Sequence, residues 1–348
     1  MNDKKLDYYV TKYFKEYLPS ITGVSINTIN SYKDTFVLLL EYLRKQKKID
    51  INNLQLDDIN SEIVENFLVY LENERNNSIS TRNQRLAAIH SFYKFLQRKE
   101  LSCFDLCSNI LSIPKKKAPT STISYFSLSE TEILINKPNT KLKSGFRDYA
   151  LLLFMYETAA RASEIVNLTR KQVFLTQQQP YVILFGKGNK ERMVPISNNL
   201  SDTLSKYFSV FKISSYEDFV FYNNKKEKLT TKGIEYILKK YIELAKIDNP
   251  DKFRKSYSNH SMRHTRAMHL LEAGVNLIYI RDILGHKSII TTEIYAKTSA
   301  VVKNEQIIKH SKSLNVKSKY KETEKDTLLD FLKEKNNKIM RSKISLNP

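Results

Sequence analysis

Apolar positions in the first third of the chain recur at helical spacing. From Thr28 onward, Ile29, Tyr32, Phe36, Leu39, Leu40 and Leu43 keep to one face, while Lys33, Arg44, Lys45, Lys47 and Lys48 fall elsewhere. A second stripe of Ile63, Val64, Phe67, Leu68 and Leu71 predicts a helix near Ser61–Asn73. A third helix is expected from around Ser80, a residue able to cap it. It turns Leu86, Ile89, Phe92, Tyr93 and Leu96 inward and leaves Arg82, Arg85 and Lys94 outside. The periodicity breaks at IPKKKAPTSTIS, where two prolines, the lysines Lys115, Lys116 and Lys117, and a Ser/Thr cluster read as a linker. Such a run is either solvated or in contact with backbone phosphates. Beyond it the pattern is mixed. Phe146–Tyr156 is strongly apolar and helix-like. Tyr181–Phe185 and Arg192–Ile196 are strand-like and joined through GKGNKE, which predicts a β-hairpin with Gly186 and Gly188 in its tight turn. Helical patterns return over Thr231–Ala245, Ser261–Ala273 and Asn276–Leu284, with Gly274 and Gly285 where C-terminal caps are expected.

These elements predict an α+β chain that is mostly α, with one small antiparallel sheet. The organisation expected is a helical domain over 1–112, a basic linker over 113–124, a second domain over 125–310 and a tail over 311–348. The tail is polar and lysine-rich with one amphipathic segment, DTLLDFLKEKNNKIM, whose apolar positions are Leu328, Leu329, Phe331 and Leu332. That segment either packs on its own domain or docks on a neighbouring subunit.

Charge changes the picture. Lysine plus arginine number 57 against 37 acidic residues, a net +20 over 348 residues. A field of that sign attracts polyanions and makes nucleic acid the first candidate partner; the alternative is a coding bias whose charge only keeps the protein soluble. Cys103 and Cys107 stand four apart with no second pair to complete a zinc site, so two buried, reduced thiols are expected. The chain opens MNDKKLDYYV, without an apolar signal region, and no run approaches the ~18–20 apolar residues of a membrane span. A soluble, cytoplasmic protein is expected.

Four segments carry candidate chemistry: TAARASEIVNL with Arg161 and Glu164, FGKGNKER with Lys187, HSMRHTRAMHLLEAG with His260 and Arg263, and LGHKSIITTEIYAK with His286 and Tyr295. Each alone has an ordinary reading. Arg161 could sit in a surface ion pair, Lys187 in a solvated turn, His286 at a helix cap and Tyr295 in a core. His260 and Arg263, three apart, share a helix face that could simply be solvated. His260 and His264 have the i, i+4 spacing of a helical zinc site, but a zinc protease motif needs Glu where Ser261 stands. GKGNK lacks the G-x-x-x-x-G-K-[ST] pattern of a nucleotide-binding P-loop. No metal and no cofactor are therefore expected.

Taken in order, R-A-S-E-I at Arg161–Ile165, G-K-G-N-K at Gly186–Lys190, H-S-M-R-H-T at His260–Thr265, L-G-H-K-S at Leu284–Ser288 and I-Y-A-K at Ile294–Lys297 resemble the catalytic signature of the tyrosine recombinase (phage integrase) family. The resemblance covers roughly residues 124–310, and the helical first third looks like that family's SAM-like core-binding domain. It departs at Ala159 and Ala160, where the family has Gly-Leu, and at Met262, where it has Leu; both changes are small and apolar and bear on packing more than on mechanism. The resemblance implies that Tyr295 is a covalent nucleophile on a DNA phosphate, Arg161 and Arg263 a clamp on the non-bridging oxygens, and His260 the base. It implies Lys187 as the acid for the leaving oxygen, His286 as a hydrogen-bond donor to the phosphate, and Glu164 as the group orienting Arg161 or His260. It also implies a monomer in free solution that forms a homotetramer on two synapsed duplexes. The two domains would clamp double-stranded DNA, with Arg82, Arg85, Lys115, Lys116 and Lys117 as further contacts. Two neighbouring readings stay open: a type IB topoisomerase, which uses a similar residue set, and a catalytically silent DNA-binding regulator. A basic scaffold binding RNA is a third, weaker one, since no aromatic-glycine RNA motif is present.

Overall fold

The computed structural model describes residues 5–119, 123–186, 188–253 and 256–298, together with Lys333. Lys187 and the tail's apolar stripe at Leu328, Leu329, Phe331 and Leu332 lie outside the described residues. The chain divides into two compact units, Met1–Ser121 and Thr122–Pro348.

The first unit is helical: α1 (Leu6–Lys12) running into a π-helical turn over Tyr13–Thr22, then α2 (Ile26–Gln46), α3 (Ser61–Asn73), α4 (Ile79–Lys99) and α5 (Phe104–Leu111). Side chains cap the long helices: the Ser25 hydroxyl accepts from the Thr28 N–H, Asn60 Oδ1 from Ile63 and the Ser78 hydroxyl from Thr81. The cap of α4 is thus Ser78, not Ser80. Ser78 has the extended backbone a cap requires, and Ser80 lies within the first turn. An aromatic cluster fills the core. Tyr13 packs edge-on to Phe92 with ring centroids 5.3 Å apart, and its hydroxyl donates to Ser91 at 2.8 Å. Cys103 and Cys107 are buried thiols in this core.

Two arginines expected to face outward are turned in. Arg82 and Arg85 share the face of α4 that carries Leu86 and Ile89. Arg82 is 6% exposed, donates to the Pro114 carbonyl at 3.1 Å and pairs with Glu72 at 3.5 Å. Arg85 donates to the Ser31 carbonyl and the Thr35 hydroxyl, both at 3.1 Å. Lys116 is engaged as well, its ammonium 2.9 Å from both Glu72 oxygens. Lys115 and Lys117 are exposed.

The second unit contains α6 (Leu128–Asn136), α7 (Lys143–Thr158), α8 (Ala162–Ile165), the antiparallel sheet β1 (Val173–Phe174), β2 (Tyr181–Phe185) and β3 (Glu191–Pro195), then α9 (Asn198–Phe211), α10 (Thr231–Asp248), α11 (Asn259–Glu272), α12 (Leu277–Leu284) and α13 (Ile290–Thr298). The strands are ordered β1-β2-β3, with Val182 opposite both Val173 and Val194. β1 carries no sequence signal because it is only two residues long. α7 is apolar on nearly every side and buried accordingly, with Leu151, Leu152 and Phe154 fully covered. Asp148, buried inside the unit, is satisfied: it accepts from Arg147 at 2.7 Å and from the Tyr241 hydroxyl at 2.9 Å. His269, on α11, bonds Tyr156 Oη and the Phe126 carbonyl with its two ring nitrogens, at 3.1 and 3.0 Å. These bonds fix α11, which carries two of the candidate site residues. Among the described residues no helix is long and apolar enough to cross a membrane.

Candidate active site

α7 ends in a sharp turn that starts the site. Ala159 adopts a left-handed backbone, φ +49°, and is fully buried. The departure from glycine at this position therefore bears on backbone conformation and not on packing alone. The turn points the Ala159 carbonyl at Arg263, whose Nη1 donates to it at 2.8 Å, and brings Arg161 to the N-cap of α8. Arg263 also donates from Nη2 to the Leu284 carbonyl. It is 4% exposed; burial, then the neighbouring cations Arg161 and Arg192, push its guanidinium down to about 9, still a cation at neutral pH.

Glu164 sits between two guanidiniums. Its oxygens accept from the Arg161 backbone N–H at 2.7 Å and from Arg161 Nη1 at 2.8 Å. They also accept from Arg192 Nη1 and Nη2 at 2.9 and 2.7 Å. Burial alone raises a carboxylate, but the Arg192 and Arg161 bonds outweigh it and hold Glu164 below its ordinary value. Arg192 was not among the residues the sequence singled out. Its place one residue into the strand after the hairpin turn was its only signal.

α12 closes on Gly285, φ +61°, with the His286 N–H donating to the Arg281 carbonyl in a Schellman-type cap. This exit aims His286 into an open cavity of about 610 Å³, lined also by Arg161, Lys190, Arg192, Arg281 and Lys287. His286 Nδ1 and the Thr292 hydroxyl share a bond of 3.0 Å. Burial first, then Arg263 and Arg161, push His286 down to about 4.

Tyr295, on α13, is 1% exposed and packed in a small apolar cluster with Ala159, Met268, Leu271 and Leu284. Burial raises its phenol, while Arg263 and Arg161 pull the other way. Its hydroxyl and His264 Nδ1 share a hydrogen bond of 2.9 Å. His264, with burial first and then His260 and Arg263 acting on it, is pushed down to about 4. His260 is exposed in the first turn of α11, its ring centroid 6.2 Å from that of His264. The structure thus brings Arg161, Glu164, Arg263, His286 and Tyr295 into one electrostatic neighbourhood, and sets His264 between His260 and the phenol. Lys187 lies outside the described residues, between Gly186 and Gly188, whose turn is held by the Gly186 N–H donating to the Lys190 carbonyl at 2.8 Å. Among the described residues no group of three His, Cys, Asp or Glu is placed to hold a metal ion.

Two stretches of the chain match known protein families. Residues 124–301 match the phage integrase family, and residues 11–100 match the N-terminal SAM-like domain of phage integrases. This chain belongs to the phage integrase family of tyrosine recombinases. Its members cleave and rejoin DNA. A protein of Sinorhizobium fredii named as an integrase/recombinase, y4rC, is 31% identical over 320 residues, covering 92% of this chain and 95% of that one. Tyrosine recombinase XerD of Oceanobacillus iheyensis is 32% identical over 296 residues, covering 83% of this chain and 93% of its own. Among solved structures, the Tn1549 transposon integrase in complex with transposon right end DNA shares the fold with a TM-score of 0.66 at 15% identity, covering 86% of this chain and 99% of that one.

Proposed function

We propose that this recombinase is site-specific, that it cuts and rejoins duplex DNA through a 3′-phosphotyrosyl intermediate on Tyr295, and that it serves the integration and excision of a mobile element. The observation that carries the reading is the pair Arg161 and Arg263, whose fields act together on Tyr295 and His286 beside an open basic cavity. A phosphotyrosine stores the energy of the broken bond without nucleotide. Two guanidiniums stabilise the charge that gathers on the non-bridging oxygens. His286, neutral and tied through Nδ1 to Thr292, donates from Nε2 to the phosphate. His260 takes the phenol's proton, Lys187 protonates the leaving 5′ oxygen and Glu164 orients Arg161. Adduct formation is expected to persist in chelator and without nucleotide.

In this reading residues 1–112 form the core-binding domain and 125–310 the catalytic one. The linker over 113–124 follows backbone phosphates through Lys115 and Lys117. Four copies meet on two synapsed sites, and the tail over 311–348 follows as a separate segment. The net charge of +20 supports double-stranded DNA as the partner. The resemblance to proteins named as integrases supports the mobile-element role.

The test is direct capture. Cells carrying candidate element DNA and expressing the tagged chain are lysed into hot denaturant, and the DNA that stays with the protein is sequenced beside a Tyr295→Phe control. DNA retained at element ends by wild type alone is the expected result. A single chromosomal site would favour dimer resolution, and retention scattered over all sequences a topoisomerase. No retention, with nicked substrates tried as well, would leave only a DNA-binding regulator.

A further inference from the structure

We infer that Arg192 is a positioning residue for this reaction: it neutralises the Glu164 carboxylate so that Arg161 keeps its charge for the DNA phosphate. The inference rests on the recombinase reading of the site. Arg192 forks onto both oxygens of Glu164, at 2.9 and 2.7 Å, the geometry in which a guanidinium binds a carboxylate most strongly. Arg161 gives the same carboxylate one side-chain bond, from Nη1 at 2.8 Å. The Glu164 side chain is 2% exposed, so water does little to screen its charge. Facing Arg161 alone, that carboxylate would cancel the guanidinium's field where negative charge develops in the transition state. With Arg192 forked onto it, two cations share one anion and the trio keeps a net positive charge.

Arg192 is held from its other side as well. Its Nε donates to the Ile283 carbonyl at 2.8 Å, and its stem lies against Gly285, where an added Cβ would come within 3.0 Å of Arg192 Cδ. Ile283 and Gly285 form the end of α12, immediately before His286. One side chain, 9% exposed, therefore ties β3, α8 and the approach to His286 together while it balances Glu164. A lysine at this position retains the charge with fewer bonds, and a methionine retains neither.

The experiment measures single-turnover adduct formation by the full-length chain on a nicked duplex carrying the captured site, at saturating DNA. Dissociation constants and unfolding midpoints are taken alongside. The variants are Arg192→Lys, Arg192→Met, Glu164→Gln and the double variant Arg192→Met with Glu164→Gln, with Arg161→Ala and Tyr295→Phe as references. Arg192→Met is expected to slow adduct formation roughly 100-fold, the usual effect of losing one charge-stabilising group, while affinity for DNA stays within about threefold. Adding Glu164→Gln to it is expected to recover about tenfold, because removing the unbalanced carboxylate frees Arg161. A double variant no faster than Arg192→Met, with both folded, overturns the inference and leaves Arg192 as scaffold. Where Arg192→Met does not fold, Arg192→Lys decides. A rate within about tenfold of wild type supports charge balance, and a loss as deep as that of Arg161→Ala overturns it. Wild type forming no adduct, judged against Tyr295→Phe, overturns the recombinase reading itself and this inference with it.

Discussion

Tyr295 Oη and His264 Nδ1 lie 2.9 Å apart in a shared hydrogen bond, deep enough that the tyrosine is 1% exposed. The residue against the phenol is thus one helical turn beyond His260. Burial holds His264 and His286 at about 4, with Arg263 acting on both, and burial also lowers His90 and His269. His264 and His286 stay neutral in the folded chain down to about 4, and all four titrate near ~6.5 when unfolded. The unfolded chain therefore binds more protons as pH falls through that value, and stability drops until the folded state takes up its own, near 4 for His264 and His286. The unfolding midpoint of the DNA-free chain is expected to fall between pH ~6.5 and ~4.5, and His264→Phe to flatten the fall. A midpoint constant over that window would mean these imidazoles are protonated in the fold.

Ala159 closes α7 at φ +49°. A left-handed backbone costs an L-residue roughly 1–2 kcal/mol. Glycine would relieve that strain, but it gives up a buried methyl and frees the unfolded chain by about 0.5–1 kcal/mol. The terms nearly cancel, so Ala159→Gly is expected to unfold within about 1 kcal/mol of wild type. Ala150, buried in the middle of the same helix, has no strain to relieve. Ala150→Gly is expected to lose about 1–2 kcal/mol. Equal losses in denaturant unfolding would show that Ala159 carries no strain.

Several helices were legible from one apolar face, but α6 and α9, which also bury one, were not read from the sequence. The stripe from Ile63 to Leu71 marked a helix near Ser61–Asn73, where α3 runs, and the β-hairpin followed from two apolar runs around a glycine-containing turn. Of the candidate site, Arg161, Glu164, Arg263, His286 and Tyr295 were chosen by residue type and order, and the fold sets them near one another. Glu164's second partner could not, because Arg192 is an ordinary strand residue until β3 is brought against α8. The same holds for Arg82 and Arg85. Periodicity places them on the inner face of α4, but arginine's usual preference for solvent argued otherwise, and only Glu72, Ser31 and the Pro114 carbonyl explain why they turn in. His264 was visible only as one half of a metal spacing, since nothing in the sequence says which turn of α11 meets Tyr295.

Gly285 is required twice over, by its φ of +61° and by the 3.0 Å approach of Arg192 to the space a Cβ would fill. Gly285→Ala is expected to destabilise the chain by about 1–2 kcal/mol, from backbone strain alone. Adduct formation is expected to fall further than that loss explains, because the methyl displaces the guanidinium that balances Glu164 and shifts the start of the His286 loop. Unfolding and adduct yield measured on the same preparation check this. A stability loss with full adduct yield would separate the cap from the chemistry.

The basic residues of the first unit fall into two groups with opposite expected signatures. Arg82 is buried against Glu72 and the Pro114 carbonyl, so Arg82→Ala leaves internal groups unpaired. It is expected to cost about 1–3 kcal/mol of stability without changing the salt dependence of DNA binding. Lys115 and Lys117 are exposed. The double change Lys115→Gln with Lys117→Gln is expected to keep the unfolding midpoint and to lower the slope of log affinity against log salt by about 1.8, the release of two counterions. Titrations at three salt concentrations separate the groups. If the Arg82 variant loses slope while the lysine pair does not, the phosphate contacts lie on α4 and the linker is merely solvated.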